Sequence, residues 1–428
     1  MTNTTNPSPP VLNYENQDAL FAPAFAILKE AVANHAFPAA SIAVTHRANL
    51  VALKALGHFT YADDETTTDK DKEKVGAPLL ASSPKTGINN VEVTTLFDLA
   101  SLTKIVATTP MAMLLYERGL LDLDAPVSAI VPEFISTAAK DPRRKEITVR
   151  MLLSHSSGLP AYEKLFLKAR TRGQLLEAVF AMPLAADPGS QAAYSDIGFI
   201  LLGVALERLA DEPLDRFCQR EIFAPLAMSN TTFNPPANLR SQIPPSADER
   251  EEECGAGAPA REMPEASPPQ SASQHTRSTF RHRIIQAEVQ DENASVLGGV
   301  AAHAGLFSNA EDLAKFAHAM LNGGRPILRP ETIALFTRRE TAPNGTSRAL
   351  GWDTPSSPSQ SGKYFSPRSY GHLGYTGTSL WIDPTRQLSI TLLTNRTWPD
   401  CSNQALKTIR PMFHDTVVEA LDNSPVRD

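Results

Sequence analysis

Cysteine is scarce in this sequence: three residues, Cys218, Cys254 and Cys401, are spread over 428 positions with no C-x-x-C spacing. That pattern is neither a zinc site nor a disulfide framework, and it suits a reducing cytosol. Concentrated positive charge is missing too. Lys+Arg number 40 against 47 Asp+Glu, a net charge of −7, and no basic block stands out. Binding nucleic-acid phosphates requires a clustered positive face, so nucleic acid is not an expected partner. No stretch approaches the ~18 uninterrupted apolar residues of a membrane-spanning helix. The opening Met1-Thr-Asn-Thr-Thr-Asn-Pro-Ser-Pro-Pro has neither the basic segment nor the apolar core of a secretory signal, which makes a cytoplasmic protein the expectation. Three common signatures are absent as well: the G-x-S-x-G elbow, the H-E-x-x-H zinc helix and the Walker loop.

What is present is ample core material. Hydrophobic residues make up 42% of the chain, so a wholly disordered protein is excluded, and the length suggests about three domains. Residues 19–35 carry apolar side chains at helical spacing. Ala40-Ser-Ile-Ala-Val-Thr45 and Leu50-Val-Ala-Leu-Lys-Ala-Leu56 flank the polar His46-Arg-Ala-Asn49, which reads as a β-hairpin. A second hairpin is read near the other end, Ser379–Asp383 and Leu388–Thr394 around Pro384-Thr-Arg-Gln387, followed by a helix over 403–421 that Pro411 should kink. Hairpins and helices at both ends, with a helical pattern from Ser101 to about Met228 between them, suggest one sheet assembled from both termini. Residues 61–90 and 237–283 have no hydrophobic period and read as loop insertions, the second rich in Pro and Glu.

One constellation survives the search for chemistry. Phe97-Asp-Leu-Ala-Ser101-Leu-Thr-Lys104 has S-x-x-K spacing at the start of a helical pattern. Residues three apart on a helix have Cβ atoms ~5–6 Å apart, so the Lys104 amine can reach the Ser101 hydroxyl. Serine is a weak nucleophile until a base takes its proton, and a lysine desolvated by burial can be that base. The helix N-terminus adds partial positive charge beside a developing oxyanion. The spacing alone is weak: Ser82-Ser-Pro-Lys85 fits it too, and Lys85-Thr-Gly87 spells K-T-G, both within a Pro/Gly-rich insertion. Pro110 should interrupt the Ser101 helix about two turns on. His155 and His303 read as structural histidines, the latter ahead of a capping box at Ser308-Asn-Ala-Glu311.

Longer stretches decide between these. Phe97 to Phe134, Ile147-Thr-Val-Arg-Met-Leu-Leu-Ser-His-Ser-Ser-Gly-Leu-Pro160, Tyr194-Ser-Asp-Ile-Gly-Phe-Ile-Leu-Leu-Gly203, Leu297-Gly-Gly-Val-Ala-Ala-His-Ala-Gly-Leu-Phe307 and Gly371-His-Leu-Gly-Tyr-Thr-Gly-Thr-Ser-Leu-Trp-Ile-Asp383 occur in order. Together they resemble the serine β-lactamase and penicillin-binding-protein-like hydrolases, especially their class C and esterase-like branch. The resemblance implies an α+β, β-lactamase/transpeptidase-like fold: an antiparallel sheet flanked by helices plus an inserted mainly helical domain. The sheet domain would comprise 1–100 and 284–428, and the helical domain 101–236. It implies Ser101 as nucleophile, Lys104 as base and Tyr194 as proton relay, with an oxyanion hole of the Ser101 and Tyr375 backbone N–H groups. His372-Leu-Gly374 would occupy the family's K-T-G position, and Asp196 the asparagine of Y-x-N, so Asp196, His372 and Gly374 would line the substrate. No metal or organic cofactor is implied.

Two departures from the family pattern bear on substrate. His372 and Leu373 lack the lysine and hydroxyl that help hold a carboxylate, and ionised Asp196 accepts hydrogen bonds only. A missing charge-assisted contact is worth ~1.5–3 kcal/mol. The expected substrate is therefore a small neutral ester, and the expected activity a carboxylesterase. A β-lactamase or D-Ala-D-Ala carboxypeptidase/D-aminopeptidase acting on amides is the alternative, and a non-catalytic binding or scaffold protein the second.

Overall fold

The computed structural model describes residues 9–61, 89–136, 141–250 and 280–424. Both hairpins form where alternation and turn residues place them: Ala39–His46 pairs antiparallel with Asn49–Gly57, and Ser379–Asp383 with Leu388–Thr394. The two hairpins join side by side, with Ile390 opposite Val44 and Leu392 opposite Ile42. Tyr370–Leu373 is one edge of the resulting six-stranded sheet and Val11–Leu12 the other. The sheet is antiparallel except at that last pair, which runs parallel to Asn49 and Leu50.

Both faces are covered, which is why the central strands carry apolar residues almost without a break. Ala40, Ile42 and Val44 share a core with Phe25 and Leu28 of the helix Ala22–Ala33 and with Phe413 and Val417 of Leu406–Asn423. Ala39 and Ala43 point into the other core, against Leu313 and Phe316 of the helix Ala310–Leu321. At ~25 cal/mol per Å² of apolar surface removed from water, these layers are the main favourable term in folding. The C-terminal helix continues past Pro411. Between residues 99 and 231 the described chain forms helices, turns and one isolated bridge, Pro126 with Thr148.

Several details differ from expectation. The helix following Ser101 is irregular earlier than Pro110: Lys104–Thr108 winds as a π-helix, and α-helix resumes at Thr109–Glu117 with Pro110 in its first turn. Proline has no N–H to donate and its ring crowds the turn before it, which the wider winding relieves. The helix Ala310–Leu321 is capped by Asn309, whose side chain accepts from the Asp312 N–H, one residue beyond the expected Ser308. The insertion read as 237–283 begins as ordered structure. Ala237–Gln242 is a short 3₁₀ helix and Pro245–Asp248 pairs with Ile284–Gln286, strands too short to show a period in sequence. Its remainder, 251–279, and residues 62–88 of the other insertion lie outside the described residues.

Cys218 is buried and free, whereas Cys401 is disulfide-bonded. The lack of C-x-x-C spacing therefore did not exclude a disulfide. Among the described residues no helix is long and apolar enough to cross a membrane.

Candidate active site

The segment leading to Ser101 is held from two sides. Phe97–Asp98 pairs with Leu306–Ser308, then the chain bends through Ala100 at φ +46°. A left-handed alanine costs ~1–2 kcal/mol, so neighbours must fix it. The buried Asp98 carboxylate accepts from the Ala100 N–H at 2.8 Å and the Gln290 N–H at 2.6 Å. Burial pushes that carboxyl up to about 6 against the pull of both hydrogen bonds.

Beyond the bend, three side chains from distant sequence meet. Ser101 Oγ lies 2.6 Å from Tyr194 Oη and accepts from Lys104 Nζ at 2.9 Å. Lys104 is completely buried and also donates to Asp196 Oδ1 at 2.7 Å and to the His303 carbonyl at 3.0 Å. Three donors meet three acceptors. Burial lowers the lysine below its ordinary value, and Asp196 opposes that fall without cancelling it. Burial also raises the Tyr194 phenol well above 10, with the Asp196 charge adding to the rise. Tyr194 stands just ahead of the helix Asp196–Ala210, whose N-cap Ser195 accepts from the Gly198 N–H at 2.9 Å. The S-x-x-K and Y-x-D spacings thus deliver their residues to one point. Asp196 lines the cavity as expected, while its Oδ1 is engaged by Lys104.

Both histidines read as structural serve this cluster indirectly. His155 Nδ1 accepts from the Ser195 N–H at 3.0 Å, and its ring packs 4.6 Å from that of Tyr194 and 4.9 Å from that of Phe199. Burial and the nearby Arg348 and Lys104 charges keep it neutral, its pKa well below 6.5. His303 presents its carbonyl to Lys104 while its Nε2 bonds Asp291 Oδ1 at 2.9 Å. Burial opposes ionisation of Asp291, but His303 and the Ala294 N–H prevail and hold its pKa below 3.8.

The opposite wall is the sheet edge. His372 lies on Tyr370–Leu373 across from Leu380, and its Nδ1 donates to the Leu373 carbonyl at 2.7 Å. Burial first, then the Lys104 and Arg348 charges, depress it to about 3, so this wall presents a neutral imidazole at pH 7. The turn after it is fastened to the Ser101 segment. Thr376 Oγ1 donates to the Asp98 carbonyl at 2.7 Å and Thr378 Oγ1 to the Leu99 carbonyl at 2.9 Å. Gly374 is required by this approach: a Cβ there would stand 2.0 Å from Thr378 Oγ1 and 2.5 Å from the Leu99 carbonyl oxygen. Ser101 and Tyr375, the two backbone donors expected for an oxyanion, therefore sit on segments tied directly together.

Between these walls lies a cavity of about 370 Å³ lined by Ser101, Tyr194, Asp196, His372, Gly374 and Tyr375. Sequence reasoning missed the cations that also line it, Arg348, Arg396, Lys407 and Arg410. Nothing in the sequence distinguishes these four among the chain's 40 Lys and Arg residues. The Arg348 guanidinium lies 5.6 Å from the Tyr194 ring and 3.5 Å from Asp353. Weak fixed positive charge was the basis for expecting a neutral substrate. It holds at His372 and fails for the cavity as a whole. Among the described residues no group of three or more His, Cys, Asp or Glu is arranged to hold a metal ion.

Comparison with known proteins agrees with this architecture. The Beta-lactamase family model matches residues 24–409. The N-acetylmuramyl-L-alanine amidase of Bacillus subtilis (strain 168) is 32% identical over 384 residues, 84% of this chain and 77% of that protein. An Escherichia coli K12 protein named "Putative D-alanyl-D-alanine carboxypeptidase" is 33% identical over 319 residues, 71% of this chain and 69% of its own. Among solved structures, EstCE1, a hydrolase with promiscuous acyltransferase activity, aligns with a TM-score of 0.68 at 20% identity, covering 94% of this chain and 99% of its own. Simvastatin synthase (LovD) of Aspergillus terreus aligns with a TM-score of 0.65 at 19% identity, covering 95% and 99%.

Proposed function

The chain belongs to the beta-lactamase family and has the β-lactamase/transpeptidase-like fold, and from that premise we propose that it hydrolyses small carboxylic esters through an acyl-enzyme on Ser101. The observation that carries the reading is the convergence of Ser101 Oγ, Lys104 Nζ and Tyr194 Oη within hydrogen-bonding distance beside an open cavity. In the first step the Ser101 oxygen attacks the carbonyl carbon and its proton passes to the Lys104–Tyr194 pair, which burial of the lysine makes possible near neutral pH. The oxyanion is received by the Ser101 and Tyr375 N–H groups. The C–O bond to the alcohol then breaks and Tyr194 returns the proton to the leaving oxygen. Water attacks the acyl-enzyme in the second step, releasing the acid and regenerating the Ser101 hydroxyl. Esters are favoured because an alcohol leaves more readily than an amine, and because neither His372 nor Asp196 offers the contacts that hold an amide substrate of this family.

Hydrolysis of p-nitrophenyl acetate and butyrate tests this. Turnover is expected in the wild type and absent in Ser101→Ala. A second reading, cleavage of amide bonds, is favoured by the names of the two curated relatives. It predicts faster turnover of D-Ala-D-Ala peptides or nitrocefin than of the esters, and that ranking would displace the esterase reading.

A further inference from the structure

We propose that Asp98 is a positioning residue for the Ser101 reaction, its carboxylate required in the ionised form to hold the Ser101 and Tyr375 N–H groups around one oxyanion. This deepens the hydrolase reading and rests on it. Asp98 is 5% exposed and stands three residues before the nucleophile. It is bonded to both halves of the oxyanion hole. Its Oδ1 accepts from the Ala100 N–H at 2.8 Å and so fixes the left-handed bend that leads into Ser101. Its backbone carbonyl accepts from Thr376 Oγ1 at 2.7 Å, next to Tyr375.

The second carboxyl oxygen, Oδ2, accepts from the Gln290 N–H at 2.6 Å. That segment is itself fixed: the Gln290 carbonyl accepts from Arg281 Nη2 at 2.6 Å, and Arg281 is paired with Glu249. Asp291, the next residue, bonds His303, whose carbonyl receives Lys104 Nζ. One short stretch thus reaches the nucleophile through Asp98 and the base through His303. Both oxygens of Asp98 are therefore acceptors facing N–H donors. A neutral carboxyl carries a hydroxyl, which donates, so protonation leaves either Ala100 or Gln290 opposite an O–H. A charged acceptor also makes each of these bonds about twice as strong as its neutral counterpart.

The charge is kept against the interest of the fold. Burial raises the carboxyl to about 6 against the Gln290 and Ala100 N–H groups, with Asp291 adding to the rise and Arg281 opposing it. Beyond Asp291, Glu292 is itself pushed up to about 8 by burial, and the Thr376 turn adds Tyr375 with Arg396 beside its ring. An unfolded aspartate titrates near ~3.9. Between about 4 and about 6 the native state binds a proton that the unfolded chain has lost, so this group's contribution to stability falls as pH rises through that window. Above it the protein carries a buried carboxylate that a neutral residue would avoid, and two oriented N–H donors are what the charge secures.

The test follows kcat for p-nitrophenyl butyrate from pH 5 to pH 8 in the wild type and in Asp98→Asn, whose amide keeps one acceptor oxygen and replaces the other with NH2. At pH 8 the wild type should exceed the variant about ten- to a hundredfold in kcat, with KM little changed. That ratio should shrink about five- to tenfold by pH 5, where a carboxyl titrating near 6 is about nine-tenths protonated. Titration of Lys104 is common to both proteins and cancels in the ratio. A ratio near one at pH 8, a loss carried by KM alone, or a ratio constant with pH overturns the inference, the last by making Asp98 a structural residue only. A second measurement needs neither turnover nor a variant. The Ala100 and Gln290 amide protons of the wild type, followed by NMR, should move together about a midpoint near pH 6. Should Asp98→Asn fail to fold, these amides decide: movement supports the inference, and shifts fixed from pH 5 to pH 8 overturn it. Amides that titrate in a wild type without ester hydrolysis overturn the esterase reading and leave the Asp98 joint standing.

Discussion

Lys104 Nζ donates to Asp196 Oδ1 at 2.7 Å with the lysine side chain wholly shielded from water. The pairing sets how easily Lys104 gives up its proton. Burial drives the amine towards its neutral form, and the carboxylate holds it back. Removing the carboxylate should therefore drop the lysine further. In Asp196→Asn the limb of the kcat/KM profile that rises with pH should move to lower pH. Stability near pH 7 should fall, because breaking a buried ion pair costs about 3–5 kcal/mol unless the remaining group discharges. A limb that stays in place or moves upward contradicts the assignment of Lys104 as the titrating base.

Tyr194 separates chemistry from packing. Its hydroxyl bonds Ser101, whereas its ring packs on His155 and lies under the Lys104 ammonium at 4.9 Å. Tyr194→Phe removes the first and keeps the rest. Ester turnover should fall about 10²- to 10⁴-fold with an almost unchanged melting temperature. Loss of both together would mark the tyrosine as structural.

Gly374 tests the oxyanion geometry. Its substitution by alanine forces a methyl into Thr378 Oγ1 and the Leu99 carbonyl, displacing the turn that carries Tyr375 relative to Ser101. The expected loss in kcat is about 10²–10³-fold, with a smaller change in KM. Wild-type turnover in Gly374→Ala would remove the Tyr375 N–H from the mechanism.

His372 makes a prediction about stability and pH. Its pKa is near 3 in the folded protein against ~6.5 unfolded. Below pH 6.5 the unfolded chain binds a proton there that the native state refuses. This histidine's contribution is therefore complete above pH 6.5 and is lost as pH falls towards 3, with a slope approaching about 1.4 kcal/mol per pH unit. The buried His414, also near 3, acts in the same direction. Urea midpoints at pH 7 and pH 4.5 should differ less in His372→Gln than in the wild type.

Much of this architecture is legible in the amino-acid sequence. The first hairpin is legible because two largely apolar runs, 40–45 and 50–56, flank the short polar turn His46-Arg-Ala-Asn49. Ser101 and Lys104 were marked by helical spacing, and Tyr194 only by its order relative to them. What stayed hidden is what depends on distant contact. Arg410 reaches the Gly377 carbonyl, and with it the cavity, only when the C-terminal helix is laid beside that turn. The Asp291–His303 bond supporting the Lys104 carbonyl acceptor joins residues with no shared motif.

The most direct test of the central claim is intact mass after incubation with a fluorophosphonate probe, with peptide mapping of the adduct. The wild type should gain one adduct, located on Ser101. Ser101→Ala should gain none, and Lys104→Ala should be labelled far more slowly. A folded wild type that takes up no probe, an adduct on another residue, or undiminished labelling of Lys104→Ala would contradict the account.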